Sequence, residues 1–200
     1  MSTIICLHGY GKRRSLQYAA LVETLQDKYD FVCPDYYTLD PDDIDHQLWI
    51  SRVEEIVKQH CTEDIIMIGF SLGAVIASYM ATRYSIKKLI FLGASFEYEH
   101  FLEVKRANPD PQIPEAYLKT FVEICDNFTP CLKDVECPIS FIHALQDEII
   151  PYELSIKYHD LAKSKHKNLY LLGGGRHMLF DDDRLRDKVI DIIETEIKSI

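Results

Sequence analysis

The chain alternates between short, continuously apolar runs and longer stretches in which apolar residues recur every three or four positions. The short runs are Thr3–Leu7, 31–33, Ile65–Phe70, 89–92, 139–143 and 169–172. Each is too short for a helix and is bounded by turn-forming residues, so each is expected to be a buried strand. Between them, Tyr18, Leu21, Val22 and Leu25 trace one helical stripe, and Trp49, Val53, Ile56 and Val57 trace another. Asp40-Pro41 ahead of the second stripe offers a cap followed by proline at the first helical position. Residues 71–83 and 152–163 predict two further helices, and Leu185, Val189, Ile192 and Ile193 line one face of a last one. Strands apolar on both faces, alternating with helices, predict a three-layer α/β/α architecture. The sheet should be mostly parallel, with about six strands, in one domain spanning 1–200.

Residues 95–137 break the alternation. They contain Asn108-Pro109-Asp110-Pro111, then a segment opened by Pro114 that carries Tyr117, Leu118, Phe121, Val122, Ile124 and Phe128. This segment is apolar over more than one stripe, so it is expected to pack on the sheet with one edge facing a pocket. The half before it, 96–114, has two readings: a crossover laid on the sheet, or a short cap over the mouth of a site.

The 200 residues carry 22 Lys+Arg and 32 Asp+Glu, a net charge of −10. That balance argues against a general nucleic-acid binder, which needs a basic face. No apolar run approaches the roughly 20 residues that span a bilayer, and the N-terminal residues lack the basic start and small-residue cleavage site of a signal peptide. The six cysteines (Cys6, Cys33, Cys61, Cys125, Cys131 and Cys137) form no C-x-x-C pair, which removes the usual zinc and thioredoxin spacings. Reduced thiols and a cytoplasmic location are the expectation.

Candidate chemistry begins at Gly69-Phe70-Ser71-Leu72-Gly73, a G-x-S-x-G that follows one predicted strand and precedes one predicted helix. A sharp strand-to-helix turn presents such a serine in a strained conformation, with helix N–H groups aimed at the reacting centre. Glycines two residues to either side are needed because a Cβ there would strike the neighbouring strand or helix. A serine hydroxyl needs a base. Of eight histidines, His177 alone stands on a loop after a late strand and just before the last helix, beyond Gly173-Gly174-Gly175. His8 closes the first strand, and His143, at the end of another, is expected to be structural. The carboxylate that orients the base is expected to be Asp147, on the loop after strand 139–143. Glu148 is its neighbour and rival, while Asp181, Asp182 and Asp183 suit a helix N-terminus.

The order Ser71, Asp147, His177, with His8-Gly9-Tyr10-Gly11 after the first strand and Pro151 four residues beyond Asp147, resembles the α/β-hydrolase superfamily over essentially the whole chain. Within it, the chain is most similar to small bacterial carboxylesterases and serine hydrolases. The resemblance implies an oxyanion hole built from the backbone N–H groups of Tyr10 and Leu72, and requires no metal or cofactor. Two departures stand out: the first two antiparallel strands of the family pattern are missing, and Ala144 occupies a position where many relatives have glycine.

The implied activity is hydrolysis of a small to medium ester or thioester through an acyl-enzyme on Ser71. Amide, peptide or carbon–carbon hydrolysis by the same residues is the alternative, and a non-catalytic ligand-binding protein of this fold ranks last. Lys12, Arg13, Arg14 and Arg176 form a basic cluster near the expected mouth. Arg13 and Arg14 are candidates for holding an anionic substrate group, against the plainer reading of a solvated loop, and Phe70 is a candidate pocket wall. The expected partner is a small molecule, with the chain itself a monomer or a dimer.

Overall fold

The computed structural model describes residues 2–11, 14–38, 40, 42–111, 113 and 115–199. Six strands, β1 (Thr3–Leu7), β2 (Asp30–Val32), β3 (Ile65–Phe70), β4 (Ile86–Leu92), β5 (Ile139–Ala144) and β6 (Lys167–Leu172), pair in the order β2-β1-β3-β4-β5-β6. Every pairing is parallel, so the sheet goes beyond the mostly parallel one anticipated. The six expected strands are all present, with boundaries shifted by up to three residues at their starts.

Among the described residues the α-helices are α1 (Ala19–Leu25), α2 (His46–Gln59), α3 (Leu72–Arg83), α4 (Glu99–Ala107), α5 (Ala116–Phe128), α6 (Glu153–Leu161) and α7 (Asp183–Lys198). Alternate strand residues feed two cores. Ile5, Met67, Phe91 and Phe141 pack with α2, α3 and α5 on one face. Ile4, Ile68, Leu92 and Ile142 pack with α1 and α7 on the other. The continuous apolar runs are thus the signature of strands buried on both sides.

Two helix starts bear on the sequence reading. α2 begins at His46, later than the Asp40-Pro41 signal, and its cap is Asp45, whose carboxylate accepts the Gln47 N–H at 2.8 Å. Asp40 instead belongs to a turn whose carbonyl accepts the Asp43 N–H at 2.9 Å, while Pro41 lies outside the described residues. Asp182 caps α7 through the Arg184 N–H. Pro114 also lies outside the described residues, and the helix beyond it, α5, starts at Ala116.

α5 buries Tyr117, Thr120, Phe121, Ile124 and Cys125 against the core and ties its Tyr117 hydroxyl to the Asp40 carbonyl at 2.7 Å. α4 buries only Phe101. Among the described residues, no helix is long and apolar enough to cross a membrane.

Candidate active site

All three expected catalytic side chains stand on the carboxyl side of the sheet, after β3, β5 and β6. At the β3–α3 turn, Ser71 has φ 51° and ψ −116°, a region that costs a non-glycine residue about 1–3 kcal/mol. Three backbone bonds hold it there: Ser71 N–H to the Leu92 carbonyl at 2.9 Å, and the Ala74 and Ser95 N–H groups to the Ser71 carbonyl at 3.0 and 3.3 Å. The flanking glycines are forced by contact. A Cβ on Gly73 would lie 2.0 Å from the Leu7 carbonyl oxygen, and one on Gly69 would lie 2.5 Å from Ala74 Cα. Gly73→Ala is therefore expected to prevent soluble folding or cost several kcal/mol in a denaturant melt, because the contact is with backbone of β1, a strand paired on both sides.

The Ser71 side chain does not cap α3. Its hydroxyl has no hydrogen-bond partner among the described residues, His177 included. His177 packs its ring on Phe70, with centroids 4.9 Å apart, and directs Nδ1 at Asp147 Oδ2, 2.8 Å away. Its backbone N–H donates to Glu148 Oε2 at 3.2 Å. Glu148 thus holds the main chain of the histidine, and Asp147 holds the ring.

Asp147 is held from all sides. Oδ1 accepts the N–H groups of Ile149 and Ile150 at 2.9 and 2.8 Å. Oδ2 faces both His177 Nδ1 and His143 Nε2, the latter at 3.0 Å. Burial opposes ionisation of this carboxyl, but the hydrogen bonds from the two histidines prevail and hold its pKa well below the usual carboxylate range. Gly93, at the end of β4, lets these groups come together. It has φ +52°, and a Cβ there would approach His177 Nδ1 to 3.3 Å and Asp147 Oδ2 to 3.4 Å. Sequence reading passed over Gly93, since glycine at a strand end has many causes.

The loop 8–11 lies across the turn. An ideal Cβ on Gly9 would come within 2.9 Å of Ser71 Cβ. Tyr36 donates to the His8 carbonyl at 2.6 Å, and Gly11 donates its N–H to the Tyr37 hydroxyl at 2.8 Å. Gln17 Oε1 accepts the Gly9 N–H at 2.8 Å. The N–H groups of Tyr10 and Leu72 have no such acceptor among the described residues. His8 is fully buried, stacked on Tyr36 with centroids 4.2 Å apart. Burial lowers its pKa to about 4, so the ring is neutral at pH 7, with Nδ1 2.9 Å from the Gly9 carbonyl. Tyr36 and Tyr37, which fix this loop, carry no motif that would have announced them.

Arg14 is occupied elsewhere: its guanidinium reaches Asp35 at 3.5 Å and donates to the Tyr37 carbonyl at 3.3 Å. Lys12 and Arg13 lie outside the described residues. Phe70 is buried between Gly9 and His177. A cavity of about 290 Å³ opens beside Tyr10, lined by Lys105, Arg106, Ile113 and Leu118 among others.

A family model covers residues 3–178. The chain belongs to the uncharacterised protein family UPF0227. No curated protein matches the sequence. Solved structures resemble this UPF0227 member closely in fold. One, from work on LipS and LipT, two metagenome-derived lipolytic enzymes, has a TM-score of 0.84 at 16% identity, over 100% of this chain and 94% of the other. A monoacylglycerol lipase from Paleococcus ferrophilus has a TM-score of 0.75 at 14% identity, over 96% and 91%. A meta-cleavage product hydrolase from Pseudomonas fluorescens IP01 has a TM-score of 0.71 at 17% identity, over 98% and 92%. The fold is the α/β-hydrolase fold.

Proposed function

We propose that this UPF0227 protein is a serine hydrolase that cleaves a carboxylic ester or thioester through an acyl-enzyme on Ser71. The observation that carries the reading is the Asp147–His177 contact of 2.8 Å on the sheet edge that also presents Ser71 in its strained turn. His177 Nδ1–H is fixed by Asp147, which leaves Nε2 as the base. As substrate enters, Ser71 Oγ closes on Nε2, and such contacts are often loose until substrate is bound. Oγ attacks the acyl carbon while Nε2 takes its proton. The N–H groups of Tyr10 and Leu72 receive the developing oxyanion, each worth about 3 kcal/mol in the transition state. Nε2 then returns the proton to the departing alcohol or thiol. Water, activated by the same nitrogen, releases the acid.

The cavity beside Tyr10 supports a small to medium substrate, since Tyr10 belongs to both the loop that receives the oxyanion and the cavity wall. α4, which buries only Phe101, serves as the cap over it, and the cations at its end that line the cavity are Lys105 and Arg106. Six free thiols are consistent with a cytoplasmic location.

The deciding experiment is labelling with a fluorophosphonate, followed by peptide mapping. One adduct per chain on Ser71, abolished in Ser71→Ala and His177→Ala, is expected; labelling elsewhere, or none, overturns the proposal. A panel of esters, thioesters, amides and carbon–carbon substrates then names the bond. Filling the cavity with Leu118→Trp should raise KM for butyrate and larger esters at least tenfold, yet leave acetate esters within about twofold. Equal effects on both would remove the cavity from the substrate path.

A further inference from the structure

The acid of the site is shared by two imidazoles. His143, fully buried at the end of β5, places Nε2 3.0 Å from Asp147 Oδ2 and 3.0 Å from the Ile150 carbonyl oxygen. Both neighbours are acceptors, so Nε2 carries a hydrogen. On the other side of the ring, Nδ1 lies 2.7 Å from the hydroxyl of Ser155, itself buried in α6. Ser155 can donate to Nδ1, in keeping with a ring hydrogen on Nε2. A buried series therefore runs from Ser155 through His143 to Asp147 and His177. It duplicates the serine–histidine–carboxylate pattern, but its serine is closed to solvent, so it supplies no second nucleophile.

We propose that His143 is a positioning residue for catalysis: its Nε2–H holds Asp147 Oδ2 in line with His177 Nδ1, and its bond to the Ile150 carbonyl pins the loop that carries the acid. Without it, Oδ2 keeps one side-chain donor, and the carboxylate can turn about its Cβ–Cγ bond away from the base. A loss of alignment at the acid costs turnover more than binding, because the acid acts through His177 and touches no substrate. This rests on the triad reading above.

The two amide side chains separate positioning from space-filling. Glutamine carries its Nε2 the same number of bonds from Cβ as histidine carries its own, so His143→Gln can donate to Oδ2. His143→Asn places its amide nearer the backbone, where Nδ1 of the ring stood, and cannot. With an ester found in the panel, His143→Asn and His143→Leu are expected to lower kcat at least tenfold with KM within about twofold, and His143→Gln to recover most of the loss. Melting temperatures read alongside distinguish damage to the fold. If His143→Asn remains folded with wild-type kcat, or if Gln and Asn lose equal activity, the proposal is overturned. Asp147→Ala is the control for the parent reading: a variant that still turns over normally removes the triad itself, whereas an inactive Asp147→Ala with an unaffected His143→Asn removes only the role of His143.

Discussion

Ser71→Ala is expected to lower kcat on any ester the protein hydrolyses by about ten-thousand-fold or more, with thermal stability preserved. The size of the loss follows from the proposed mechanism, in which without Oγ no acyl-enzyme forms and His177 and Asp147 have nothing to activate. For the same reason, adding His177→Ala to Ser71→Ala should cost almost nothing further, since members of one proton-transfer unit are not additive. Stability should be spared because the hydroxyl has no hydrogen-bond partner among the described residues and does not cap α3. Ser71→Gly makes the second half of the argument testable. At φ 51° a Cβ is strained, so the glycine variant should melt higher than the alanine variant, by about 1 kcal/mol in a denaturant titration. A double variant far slower than Ser71→Ala, or a glycine variant less stable than the alanine one, would contradict the account. The strain at Ser71 then belongs to the site and is compensated by the three backbone bonds that fix the turn.

What could be read from the sequence follows from which interactions are local. The strands were legible because burial on both faces makes them continuously apolar, and the elbow because its glycines stand at fixed spacing in one strand–turn–helix unit, Gly69 pressed against α3 and Gly73 against the end of β1. The edge of the sheet on which Ser71, Asp147 and His177 gather was legible too, because in a parallel sheet every loop that follows a strand lies on the same side. What escaped was contact between distant segments. Nothing in Tyr36 and Tyr37 reveals that their hydroxyls set the 8–11 loop. Arg14 follows the 8–11 loop closely in sequence, but nothing local reveals its contacts with Asp35 and the Tyr37 carbonyl. His143 did have a local signal, its position four residues before Asp147. A strand-end histidine has many uses, however, and only the loop geometry brings Nε2 to Oδ2. The cap of α2 illustrates the opposite error: Asp40-Pro41 is a good start signal, but Asp45 caps the helix and the Asp43 carboxylate pairs with Arg52 at 2.8 Å.

The largest loss of stability from a single side chain away from the site is expected at the other end of the sheet. Lys88 of β4 and Glu196 of α7 form an ion pair in which both side chains are almost wholly buried. Ser140 of β5 donates to Glu196 Oε2 at 2.7 Å, and Asn168 of β6 donates to Oε1 at 2.9 Å, where the Tyr170 hydroxyl also binds. Among the described residues, Lys88 has one other partner, the Ser199 hydroxyl at 2.8 Å. Burial disfavours the charged carboxylate, but these donors outweigh it, and the pKa of Glu196 is lowered. Removing one member of such a pair leaves the other charged and desolvated, at a cost of about 3–5 kcal/mol, or roughly 10 °C in Tm for a chain of this length. The two truncations should differ. Lys88→Met leaves the carboxylate with three donors, whereas Glu196→Leu leaves an ammonium with Ser199 alone among the described residues and strands the buried Ser140 hydroxyl, so Glu196→Leu should be the worse. The double variant should be less damaged than the sum of the two, because no lone charge remains. Since the folded pKa of Glu196 is depressed, its contribution is complete above the unfolded value near 4.3 and disappears as pH falls through the folded value. The difference in stability between wild type and Glu196→Leu should therefore narrow only in acid. Because the network stands at the amino ends of the strands, kcat of the folded protein should not change. Urea titrations at pH 7 and pH 3 measure all of this, and a Lys88→Met cost below about 1 kcal/mol would show that water or a shifted proton already relieves the pair.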